Sequence, residues 1–415
     1  MPNTVAFLRN IALTAAHTGG QTSTVGEPSV ATNGPNIFFT GNWFASRSSS
    51  NGTNWQQVDP FTTLPPADGG FCCDQTTLFV PSHGVTVWLL QYIEQANTNT
   101  LRVAVNASAE LDTLGWNFWD LRPADVNPDW AGEWFDYNHA VISEAFLYVG
   151  TNVFTVGNDT WTRSVVFRIP LDTLAAGGAL TYDYFESTEN FSLRCAQGTT
   201  GTMYIASHNT LSQLRVFAWP EGSSTITATD VDVTPWRAGS YSAPGPDGRN
   251  WMSRCDPRIT GVWCALGHVG IMWSANRDAP RRPLPHVRVV ILDEATMTVA
   301  HEPDIWHAQH AYAYVDGAPN ADGDVGITVF RGGGPVFPGQ VVGFLDQVPA
   351  WTLRVARSGT DGPTDGKWGD YLSCRRHAPD GRTWIAAGFT LRGGGGRTNI
   401  EPRYVHFARK GHGAT

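Results

Sequence analysis

Polar and apolar side chains alternate most clearly near the end of the chain, in residues 367–389. The alternation runs from Tyr371 to His377, a Pro379-Asp380-Gly381 turn follows, and an apolar run continues from Thr383 to Phe389. Period-two alternation broken by an Asp-Gly turn predicts a β-hairpin. The same plan recurs along the chain: a small residue or Cys, an acid, a strand, a turn and a second strand. The repeat dipeptides are Gly26-Glu27, Cys73-Asp74, Phe135-Asp136, Cys195-Ala196, Cys255-Asp256 and Gly369-Asp370, with a weaker slot at His307 to His310 where Gln309 replaces the acid. Their separation is, over most of the chain, roughly 47 to 62 residues, the range of propeller blades.

Each interval holds about four strand-like runs, as in residues 77–81, 86–92, 101–106 and 116–121 after Asp74. Residues 171–180 are the best helical candidate, weakened by two glycines. The last interval lacks an outer strand after Arg409, and Thr4 to Arg9 is a strand left over. The pattern therefore predicts an all-β fold: one domain over residues 1–415, a seven-bladed β-propeller of four-stranded antiparallel blades. The N-terminal strand closes the ring and removes exposed sheet edges.

Composition agrees with short strands and tight turns: 44 Gly, 26 Pro and 17 Trp against 16% charged residues. A net charge of −9 without a basic run excludes nucleic acid as the expected partner. No apolar run approaches the roughly 18 residues that span a bilayer. A monomer is expected. The first residues are too polar for a signal peptide, and a mature secreted or periplasmic chain with an added Met would begin this way.

Residues 48–55 resemble the Asp-box of sialidase-type propellers: Ser48, Gly52 and Trp55 match, Ser50 replaces the Asp and Asn54 the Thr. The Trp368-Gly369-Asp370-Tyr371 phrase is similar to the inner-strand start of such propellers. The resemblance implies a sialidase-like propeller with a glycan as substrate; in that family the box is a folding turn. Phe167-Arg168-Ile169-Pro170 reads like the sialidase motif whose arginine binds a carboxylate, but it lies in the third repeat within an outer-strand pattern. The family's late Tyr–Glu nucleophile pair is not assignable.

A propeller gathers the starts of its inner strands around one axis, so Glu27, Asp74, Asp136, Asp256 and Asp370 are expected to form a ring of acids. Two readings stand: each acid accepts hydrogen bonds from the next blade, or some bind a structural Ca²⁺ or do acid/base work. No cofactor is required by the sequence. His139, His307 and His310 are candidate general bases, since histidine titrates at about 6.5. On one strand the last two would face opposite ways and share no ion. Tyr137 and Tyr371 follow slot acids and are candidate proton donors. Arg194, Arg254 and Arg375 would read a carboxylate if they converged, and Trp134 and Trp368 would stack on sugar rings. Residues 316–324 alternate oxygen-bearing side chains like a Ca²⁺ loop, but a polar turn is the preferred reading. Cys72 and Cys73 are expected as packed thiols. Cys195 and Cys255 would pair only if the fold brought them together.

The expected activity is cleavage of an acidic, uronate- or sialate-containing glycan in the central funnel, by hydrolysis or by β-elimination. The alternatives are a glycan-binding propeller without catalysis, serving as lectin or scaffold, and a propeller enzyme for a non-sugar small molecule.

Overall fold

The structure is a computed structural model that describes residues 4–107, 111, 115–346 and 348–411. Among these residues the strands form seven four-stranded antiparallel sheets. The innermost strands are Ser29–Asn33, Phe71–Val80, Glu133–Ile142, Arg194–Cys195, Ile259–Ala265, Ala311–Pro319 and Ser373–Arg376, of blades 1 to 7 in that order. Each touches the next, and the first touches the last, so the blades close a ring. Parallel bridges between neighbouring blades, Val25 with Gly369 and Gln197 with Trp263, show that these strands run the same way along the axis. One mouth of the channel is therefore built from strand starts and the other from strand ends.

Blade 7 takes Val5–Ala12 as its outer strand, paired antiparallel with Ile400–Arg409. This is the closure expected from the unpaired N-terminal strand, and it saturates an edge that would otherwise offer free N–H and C=O groups. The hairpin at the chain's end pairs Ser373–Arg376 with Trp384–Leu391 across the predicted turn. Residues 171–180 hold a single short helix, Leu171–Ala176, ended by Gly177 in the left-handed region.

The core lies between blades. Trp384 stacks between Phe344 of blade 6 and Phe407 of its own blade, and its Nε1 donates to the carbonyl of Ala318 at 2.9 Å. The indole lies so close to Gly326 that a Cβ there would stand 2.5 Å from the ring, so only glycine fits. Gln75 joins blades 1 and 2 at the centre: it donates to the Gly41 carbonyl at 2.7 Å and accepts from Trp88 Nε1 at 2.8 Å.

The Asp-box turn lies between the third and fourth strands of blade 1, as the resemblance implies. Ser48 Oγ accepts from Gly52 N, Ser50 Oγ accepts from Asn54 N, and Trp55 Nε1 donates to the Gly52 carbonyl. Ser50 thus supplies an acceptor where the family pattern has an Asp. Residues 320–324 form a turn closed by Asn320 Oδ1, which accepts from the N–H groups of Asp322 and Asp324. Asp316 is not part of that turn; it is buried within a strand. Arg168 of the Phe-Arg-Ile-Pro stretch pairs with Asp183 and lies over Trp219 of blade 4, packed between blades.

Candidate functional site

The strand-start mouth gathers the acids from blades 1, 2, 3, 5 and 7. Glu27 and Asp74 are buried and hydrogen-bonded to each other through their carboxyls. Burial first, then the charges of Asp74 and Asp370, hold the Glu27 carboxyl well above its usual range. Asp74 is pushed up to about 7, by burial and then by the Asp136 charge, while the hydrogen bond from Glu27 pulls it down. The pair therefore retains a proton between its two carboxyls near neutral pH. Asn42 Nδ2 donates to Glu27 Oε2 and fixes its orientation. Asp136 is raised by burial, offset by a hydrogen bond from Gln91 Nε2 at 3.0 Å.

Asp370 closes the cluster from blade 7. Its Oδ2 accepts from Arg254 at 3.0 Å and lies 3.8 Å from Arg258, while its Oδ1 is buried without a partner. Arg258 also pairs with Asp256 at 2.5 Å and covers the Tyr137 ring at 3.7 Å. Tyr137 packs edge-on against Tyr371 at 5.7 Å. Burial raises both phenols above the ordinary tyrosine range, so each is a neutral donor. The Tyr137 hydroxyl is buried without a partner, and the Tyr371 hydroxyl reaches the Gln75 carbonyl at 3.4 Å. Trp134 is half-buried two residues before Asp136, its ring 5.7 Å from Phe154.

Cys72 and Cys73, next to Asp74, are joined by a disulfide and are partly exposed. This replaces the expectation of two packed thiols. Cys195 and Cys255 are buried free thiols in their separate blades.

The chain's other candidates lie elsewhere. Arg194 and Arg375 do not converge with Arg254. They flank Asp316 lower in the channel: Arg194 lies 3.5 Å from Asp316 Oδ1, and Arg375 crosses from blade 7 to the Ala140 carbonyl at 3.3 Å and Gln197 Oε1 at 3.5 Å. His139 belongs to this second cluster. Its buried Nε2 accepts from Cys195 N at 3.2 Å, and burial together with Arg194 and Arg375 holds it well below the usual histidine range. It is a neutral acceptor occupied by backbone, not a base facing the acids.

His307 and His310 precede the inner strand of blade 6 and are not on one strand. Their rings stack at 3.9 Å, and His310 Nε2 meets the Tyr312 hydroxyl at 3.2 Å. The charges that act on His310 are His307 and Arg331, none of the mouth acids. At the centre of blade 6 stands Tyr314 instead, in the left-handed region with its hydroxyl donating to the Trp368 carbonyl at 2.9 Å. Its ring lies where a Cβ on Gly369 would stand 2.6 Å away, which accounts for the glycine before Asp370. Trp368 is fully buried among Trp251, Phe330 and Phe389, so it is core and offers no sugar platform.

Sequence reasoning missed Arg258, which lies two residues after a slot acid and is the cation nearest the cluster's centre. The spacing from Asp256 was the available signal: Asp256 Oδ1 accepts from Arg258 N at 2.8 Å, a turn that brings the side chain back over the mouth. Among the described residues the one trio whose ligand atoms lie within 4.8 Å of one another is His377, Asp380 and His406, in blade 7 and apart from the acids. Among the described residues no helix is long and apolar enough to cross a membrane.

No protein-family description matches the chain. No curated protein matches it either. Solved structures do. A Dyadobacter fermentans protein of unknown function aligns at 10% identity over 99% of this chain and 100% of its own, with a TM-score of 0.49. The NanB sialidase of Streptococcus pneumoniae aligns at 10% identity over 74% and 66%, TM-score 0.43. A lectin solved with α-methyl fucoside aligns at 10% over 81% and 97%, TM-score 0.42. The blade count rests on the strand order itself.

Proposed function

We propose that the strand-start mouth is the active site of a glycoside hydrolase acting on a neutral or amino sugar. The observation that carries this reading is the buried, hydrogen-bonded Glu27–Asp74 carboxyl pair, which burial holds above the usual carboxylate range, beside Asp370 in its contact with Arg254. Cleavage of a glycosidic bond needs a carboxylic acid that keeps its proton near neutral pH and a second carboxylate that does not. Burial supplies the first. Arg254 and Arg258 hold the second through its Oδ2, while its buried Oδ1 makes no hydrogen bond. The dyad protonates the leaving oxygen; Asp370 acts as nucleophile or base; the neutral Tyr137 and Tyr371 donate hydrogen bonds; Trp134 packs along a ring.

Charge decides the substrate class. Five carboxyls face two guanidiniums, and one retained proton still leaves the mouth negative. A uronate or sialate would be repelled, and the three arginines that suggested one do not meet. Blades 4 and 6 break the ring of acids with Ala196 and Tyr314, whereas a lectin would repeat its site in every blade. The Cys72–Cys73 disulfide supports a secreted or periplasmic setting.

The test is turnover of chromogenic hexosides and N-acetylhexosaminides, with uronides and sialosides in parallel, by wild type and Glu27→Gln. Hydrolysis of a neutral or amino glycoside that Glu27→Gln loses supports the proposal. Turnover confined to the acidic substrates, or none on any glycoside, sinks it.

A further inference from the structure

At the opposite mouth the ends of all seven inner strands enclose a cavity of about 640 Å³, with Arg375 and Gln197 in its wall. Behind them sits a charge imbalance. Two guanidiniums, Arg194 and Arg375, share one buried carboxylate, Asp316. That carboxylate is already engaged: its Oδ2 accepts from Cys374 N at 2.8 Å, and Gln197 Nε2 lies 3.4 Å from both oxygens. His139, the neighbouring imidazole, is held neutral and adds no charge.

The guanidinium donors are under-used as well. Arg375 makes two long contacts through one nitrogen, and its Nε is buried without a partner. Arg194 meets Asp316 at 3.5 Å, beyond the usual distance of about 2.9 Å. Burial and the nearby Arg194 pull the Arg375 guanidinium down to about 10, against the opposing pull of Asp316. A buried cation with idle donors lacks a counter-charge.

We infer that this cavity binds a monoanionic carboxylate, held by Arg375 with Arg194 behind it. One uncompensated positive charge matches one negative charge. The planar fork of an arginine matches a carboxylate. The volume exceeds what a halide needs; the rim carries Arg376 as well as Glu144 and Asp322, the last paired with Arg382, and so adds no net charge to the imbalance behind it. This site lies at the far end of the channel from the proposed catalytic mouth and does not depend on that reading.

The experiment is calorimetric titration of the full chain in chloride-free buffer with sodium galacturonate, acetate, chloride and the neutral control galactose. Galacturonate and acetate are expected to bind and galactose not to. Arg375→Gln should abolish that binding. Asp316→Asn, which removes the competing carboxylate, should tighten it by about tenfold, an effect that misfolding would not mimic. Carboxylate binding that survives Arg375→Gln overturns the assignment, as does chloride binding alone, or no carboxylate binding by wild type and Asp316→Asn alike. Binding lost instead in Arg254→Ala would place the carboxylate at the catalytic mouth, against both this inference and the charge argument made there.

Discussion

The two ends of the channel solve opposite electrostatic problems. At the strand-start mouth five carboxyls crowd around two arginines, and the excess is relieved by keeping a proton on the Glu27–Asp74 pair. At the waist two arginines crowd one carboxylate. A carboxyl can shed its charge near neutral pH, but a guanidinium cannot. The acid end is therefore a proton reservoir suited to acid/base chemistry, while the basic end must borrow an anion from outside.

The largest expected effect separates chemistry from stability. Glu27→Gln keeps the shape of the dyad but removes its proton, and should lower glycoside turnover by about 10²–10⁴-fold, with the thermal melting midpoint little changed. Equal loss of folding would make the dyad a structural pair.

Next is Arg258→Met. Arg258 is tied to Asp256 and Asp370 and covers Tyr137. Its loss strands buried carboxylates and should cost about 3–5 kcal/mol in urea unfolding. A cost near zero would mean the acids neutralise themselves by further protonation.

The pH dependence follows from the sign of the dyad's shift. Asp74 stands at about 7 against an ordinary 3.8, so the folded chain binds a proton there that the unfolded chain does not. Its stabilising contribution is complete below the ordinary carboxylate range. It is lost as pH rises through about 7, at no more than about 1.4 kcal/mol per pH unit. Asp74→Asn should flatten that slope in melting curves, and a slope of opposite sign would refute the shared proton.

The smallest effect is at the rim. Arg254 is 44% exposed, so its pair with Asp370 is screened by solvent. Arg254→Ala should cost under about 1 kcal/mol in stability. Its mark should be on the rate of glycoside turnover, since Asp370 Oδ2 loses the donor that orients it.

Much of the fold was legible because its cause is local. Period-two alternation, Asp-Gly turns and a spare N-terminal strand each report a backbone preference of a few residues, and their recurrence fixed seven blades and the closure at Val5–Ala12. The slot acids Glu27, Asp74, Asp136, Asp256 and Asp370 were legible for the same reason, since a repeat puts equivalent positions on one axis.

What escaped depends on distance through space. The sequence could not say that Arg254 and Arg258 reach the acids while Arg194 and Arg375 lie lower, because blades set height along the axis by bulges and loop lengths. Nor could it tell that Trp368 is sealed between blades, that blade 6 presents Tyr314 in place of His307 and His310, or that Glu27 and Asp74 stand close enough to share a proton. Strand identity is written in neighbours along the chain. Charge pairing and pKa are set by neighbours across it, from residues tens to hundreds of positions away.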